Sequence, residues 1–118
     1  MRIWDIEPSL LCQKHLLGEH RELHAIWSII TKNKKGYSKH PETQRWVGKL
    51  KALYFRHQKL VEEMKKRGYS HRSDLNVELA TGKEKQNVFV NTIKEQIEIL
   101  KNKNCLCFNS LEVKGKKR

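Results

Sequence analysis

The stretch His15-Leu16-Leu17-Gly18-Glu19-His20-Arg21-Glu22-Leu23 reads as the middle of a helix. Around it Leu10, Leu11, Leu16, Leu17, Leu23, Ile26, Trp27 and Ile30 recur at helical spacing. This places a first helix behind Pro8 and Ser9, with Ser9 as a candidate N-cap, and carries it to about Ile30. His15, Gly18 and Glu22 then share one face, at separations of three and four residues. Glycine costs a helix interior roughly 1 kcal/mol against alanine. A glycine between an imidazole and a carboxylate therefore suggests that something approaches the helix closely. The candidate is the chain's own N-terminal arm, residues 1–7, whose α-amine is a usable nucleophile.

After this helix, Lys32 to His40 reads as a basic loop broken at Gly36. Pro41 suits the first turn of a second helix, along which Trp46, Leu50, Leu53, Tyr54, Leu60, Val61 and Met64 keep a helical period. Gly68 is its natural left-handed stop, and Lys65, Lys66 and Arg67 complement the dipole in the last turn. Ser70 to Gly82 reads as a loop or short helical turn. A third helix is expected from about Lys83 to Lys101, on Val88, Ile93, Ile97 and Leu100. With no convincing strand, the expectation is an all-α, compact single domain of about three helices over residues 1–101. Residues 102–118 are weakly patterned and end in Lys114, Lys116, Lys117 and Arg118, a basic C-terminal tail.

The 118 residues carry a net charge of +12. From Lys32 to Arg72 thirteen Lys or Arg face three Glu. Such a concentration points to a polyanionic partner, nucleic acid first. No apolar run approaches the roughly 20 residues of a membrane span, and Asp5 and Glu7 interrupt any signal-peptide pattern at once. The expected location is cytoplasmic, associated with the nucleoid. Cys12, Cys105 and Cys107 do not make a disulfide framework, and the lone Cys105-Leu106-Cys107 motif reads as free thiols. His20 and His24 share a helical face, but with no third ligand evident in the sequence they read as partly exposed or DNA-facing.

Taken singly, Glu22 is an ordinary surface carboxylate, His15 a satisfied histidine and Arg2 a terminal charge. Met1 gives them a common purpose. The bulk of Arg2 should spare Met1 from aminopeptidase removal, so the expected mature α-amine is that of Met1. An α-amine has an ordinary pKa of about 7.7–8.0, so a sizeable fraction is neutral near physiological pH. A neutral amine can attack a sugar carbon and form a Schiff base, and a nearby carboxylate can shuttle protons.

On these residues the chain resembles the phage-type pyrimidine-dimer DNA glycosylases, the endonuclease V pyrimidine-dimer family. One block is Arg2-Ile3, then His15-Leu16, Glu19 and Arg21-Glu22-Leu23. The other is Lys49-Leu50, Leu53, Arg56, Leu60, Glu63 and Lys66-Arg67-Gly68-Tyr69. The resemblance implies a helical fold with the N-terminal arm inserted among the helices. It also implies a bifunctional glycosylase and abasic-site lyase acting on ultraviolet-induced pyrimidine dimers in double-stranded DNA; a monomer is the expectation from the small, basic chain. Carried over by position, the catalytic groups are Met1 and Glu22, while Arg2, His15 and Arg21 contact DNA or shape the site. Departures from the family pattern are Met1 for a threonine, His24 for a proline, Ala25 for a basic residue, and a lysine-rich end for an aromatic segment. His24 could return part of the charge lost at Ala25. Lys14, Lys35, Arg45 and Arg56 are further candidates for sequence-independent phosphate contacts. The chemistry needs neither metal nor organic cofactor. Competing readings are an abasic-site lyase without dimer recognition, and a basic nucleic-acid-binding module in which Met1 and Glu22 are idle.

Overall fold

The computed structural model describes residues 2–36, 38–69, 74–103 and 107. Among them are four α-helices and no strand: α1 (Gln13–Thr31), α2 (Pro41–Gln44), α3 (Leu50–Lys66) and α4 (Ile93–Lys101), with 3-10 turns at Pro8–Leu10 and Val77–Leu79. The expected all-helical class holds. Leu16, Leu23 and Ile26 of α1 meet Leu53, Leu60 and Met64 of α3 in one buried core. Among the described residues no helix is long and apolar enough to cross a membrane.

Three expected boundaries shift, each for a local reason. The first helix begins at Gln13 behind Cys12 rather than at Ser9, because Pro8–Leu10 closes its own 3-10 turn. The second expected helix is broken. α2 is one turn long, Gly48 takes a left-handed φ of 76°, and α3 starts afresh at Leu50. The third expected helix loses its first half. Thr92 and Glu95 form a reciprocal capping box that starts α4 at Ile93, which leaves residues 83–92 irregular and Val88 exposed.

The chain from Thr81 to Lys83, leading into that segment, replaces a missing side-chain cap. Lys49 offers none to α3. Instead the carbonyls of Thr81 and Lys83 accept from the N–H groups of Lys51 and Ala52 at 2.8 and 3.1 Å. Gly82 makes the approach feasible: its φ is +86°, and a Cβ there would lie 2.2 Å from the Gly48 carbonyl oxygen. At the other end α3 stops as expected, with Gly68 left-handed and Tyr69 and Gly68 donating back to Met64 and Lys65.

The N-terminal arm runs among these helices. Ile3, Trp4 and Ile6 are buried with the core, each contributing about 1.5–3 kcal/mol by transfer from water. Polar side chains fix its backbone. Glu19 of α1 accepts from the Trp4 N–H at 3.1 Å, and Gln96 of α4 accepts from the Asp5 N–H at 2.8 Å. Arg45 donates to the Ile3 carbonyl at 3.0 Å.

Candidate active site

Where the arm crosses α1 a cleft of about 560 Å³ opens. Lys14, His15, Gly18, Glu19, Arg21 and Glu22 line it from α1, Arg2 and Trp4 from the arm, His40 from the turn before α2, and Ile99 and Lys103 from the end of α4. The expected face of His15, Gly18 and Glu22 is therefore one wall. A Cβ on Gly18 would meet nothing within 4 Å, so the glycine leaves open space rather than relieving a contact among the described residues. Met1, the expected occupant of that gap, lies outside the described residues.

The two glutamates of the cleft differ in state. Glu19 is buried, and Arg56 of α3 grips it through Nε at 2.6 Å and Nη2 at 3.0 Å. Burial pushes the Glu19 carboxyl up from its ordinary range, against the opposing pull of the Arg56 charge and hydrogen bonds and of the Trp4 N–H. Glu22 is half-buried, and among the described residues no ion pair engages it. Arg2, Lys14, Arg21 and Lys103 surround it with positive charge.

His15 stands edge-on to Trp4, with ring centroids 5.9 Å apart. Its Nδ1 lies 3.2 Å from Cys12 Sγ and 3.1 Å from Cys107 Sγ, and the Cys12 N–H donates to Cys107 Sγ at 3.1 Å. Burial, then the charges of Lys103 and Lys14, hold the His15 pKa below its ordinary value, so its neutral form is favoured near pH 7. Arg2 donates to Asn91 at 2.9 Å and lies over the Trp4 ring.

Other residues singled out from the sequence stand elsewhere. Arg45, read as a phosphate contact, is instead inside the protein. Its five donors are all engaged, by Glu42, Asp5 twice, the Ile3 carbonyl and the Val88 carbonyl. Arg56 is committed to Glu19. Lys35 is exposed in the loop after α1 and does not line the cleft. His24 does not line it either. Together with His20 it meets His57 of α3 in a cluster whose ligand atoms lie within 4.8 Å of one another, so the third ligand missing from the sequence reading is supplied by packing. Cys12, His15 and Cys107 form a second such group; Cys105 lies outside the described residues.

Sequence reasoning did not assign Trp4, Glu19, His40, Ile99 or Lys103 to the site. For Glu19 a signal existed: it sits three and four residues from Leu16 and Leu23, a charge on the apolar stripe of α1. His40, Ile99 and Lys103 arrive only through the turn into α2 and the docking of α4.

A family model described as pyrimidine dimer DNA glycosylase matches residues 1–77. That span holds the arm, α1, α2 and α3, and the chain belongs to this DNA-repair family. No match to the chain was found among curated proteins or among solved structures.

Proposed function

We propose that this protein is a DNA glycosylase with abasic-site lyase activity on ultraviolet-induced pyrimidine dimers. The Met1 α-amine attacks C1′ of the damaged nucleotide and the bond to the base breaks, its electron pair leaving with the base. The C1′–O4′ bond then opens, with O4′ taking a proton, to give the Schiff base; loss of a C2′ proton from it breaks the C3′–O bond, the 3′ phosphate leaves, and the strand is nicked. Glu22 stabilises the developing cation and moves the protons. Arg2, Lys14 and Arg21 hold phosphates, and neutral His15 packs the wall beside them. Reaching C1′ requires the nucleotide to leave the duplex stack.

The observation that carries this reading is Glu22, outside any ion pair among the described residues, on the same cleft as Arg2. Arg2, covalently next to Met1, lines that cleft, and Glu19, Arg45 and Gln96 clamp the arm that follows it, which supports Met1 as the nucleophile.

Borohydride trapping of untagged protein tests it, on one duplex with a cyclobutane thymine dimer and one with an abasic site. Crosslinks to both, mapped to Met1, support the bifunctional enzyme. A crosslink to the abasic duplex alone reduces it to a lyase. No crosslink to either, with DNA binding intact, leaves a basic binding module.

A further inference from the structure

We propose that His20, His24 and His57 form a transition-metal site, of the kind zinc occupies, that fastens α1 to α3. It stands apart from the cleft. At 3.6 residues per turn His20 and His24 point roughly half a turn away from Glu22 around α1, so the two groups flank opposite sides of the helix's buried stripe. His20 and His24 are four residues apart on one face, the spacing at which two imidazoles can reach one ion. His57 comes from the facing helix and is fully buried.

The geometry suits coordination. The ring centroids lie 4.6, 5.1 and 5.0 Å apart, and the planes are inclined to one another, so the rings converge rather than stack. His24 Nε2 and His57 Nε2 are 3.2 Å apart. Two imidazole nitrogens at about 2.0 Å from a tetrahedral ion stand ~3.3 Å apart. On its other side His57 Nδ1 lies 2.8 Å from the Gln58 side-chain oxygen. An oxygen accepts, so Nδ1 carries the proton and the Nε2 lone pair faces the cluster. Metal-bound histidines are oriented by this kind of outer hydrogen bond. An all-imidazole set favours zinc, copper, nickel or iron over magnesium or calcium. Three nitrogens leave a position for water or a further group.

The test uses the full chain without a histidine tag, loaded with Zn²⁺ or Co²⁺ and then dialysed. The wild type retains a metal ion, and His24→Gln retains one equivalent fewer. Because His57 is fully buried and His24 only partly so, His24 is the informative substitution. The Co²⁺-loaded wild type shows a tetrahedral ligand-field band that His24→Gln loses and Cys12→Ser keeps. Chelation lowers the melting temperature of the wild type and leaves that of His24→Gln unmoved. The proposal is overturned if the wild type retains no metal. It is equally overturned if all retained metal shows thiolate-to-cobalt charge transfer, disappears in Cys12→Ser and survives in His24→Gln, which would assign it to Cys12, His15 and Cys107.

Discussion

One oxygen of Glu19 accepts both the backbone N–H of Trp4, at 3.1 Å, and Nη2 of Arg56, at 3.0 Å. Through that atom the N-terminal arm, α1 and α3 are joined at a single buried point. A carboxylate removed from water is costly unless its lone pairs are engaged, and here a fork-shaped guanidinium and a peptide N–H engage them. The chain thus spends a buried charge on the position of residue 4, three residues from its terminus.

Removing the partner should therefore cost more than removing the charge. Arg56→Met leaves the Glu19 carboxylate buried without its guanidinium, and about 3–5 kcal/mol of stability should be lost. Glu19→Gln keeps an acceptor for the Trp4 N–H and should lose about 1–3 kcal/mol. Urea unfolding of the two variants reads the difference, and equal losses would show that Arg56 acts by packing alone.

The same carboxyl gives a pH dependence of definite sign. Its folded pKa is raised above the ordinary 4.5, so the folded state binds the proton more tightly than the unfolded chain. Its contribution is full below that ordinary value and is lost as pH rises through the folded-state titration. Measured from pH 4 upward, wild-type stability should fall relative to Glu19→Gln. A wild type that gains on the variant over this range would mean that the attraction of Arg56 outweighs burial.

The helical class and the wall of His15, Gly18 and Glu22 were legible because both depend on local periodicity. The end of α3 was legible too, since Gly68 is a local conformational signal. What the pattern could not carry was tertiary. The apolar period that runs through Trp46 and Leu50 continues across Gly48 although the backbone does not, because only the docked segment at Thr81 to Lys83 rewards a break there. Val88 fits a helix by spacing, yet the Thr92–Glu95 box starts the helix after it. Arg45 and Arg56 look like any surface cations in sequence, and although Glu42 is a near neighbour of Arg45, the carboxylates that draw the two inward, Asp5 and Glu19, lie 40 and 37 residues away. His57 joins His20 and His24 only across the α1–α3 interface.

Glu22→Gln should separate binding from chemistry. The side chain is half-buried with no ion pair to lose among the described residues, so stability should stay within about 0.5 kcal/mol of the wild type. Strand nicking should fall by at least about 10²-fold, the lower range for a positioned acid or base, while duplex affinity is retained. Nicking at the wild-type rate would remove Glu22 from the chemistry.

Blocking the terminus is the companion test. An uncleaved N-terminal extension turns the α-amine into an amide, which is no nucleophile. Trapping and nicking should both vanish while DNA affinity persists. An extended protein that still nicks dimer-containing DNA would point to a lysine, and Lys14 and Lys103 on the cleft are the first to replace.

Arg21 and Arg45 should respond to substitution in opposite ways. Arg21 is exposed on the cleft rim, whereas Arg45 has every donor bonded inside the protein. Arg21→Ala should weaken binding to all duplexes and reduce the slope of log K against log salt by about 0.9, one phosphate's share, with little change in the unfolding midpoint. Arg45→Ala should leave Asp5 and Glu42 without their guanidinium, with Gln96 and Trp46 still donating to them, and release the Ile3 carbonyl, costing several kcal/mol of stability. Below its own melting temperature, folded Arg45→Ala should keep the wild-type salt slope. A reduced slope in that variant would return Arg45 to the DNA interface. An unchanged slope in Arg21→Ala would move the phosphate contacts away from this rim of the cleft.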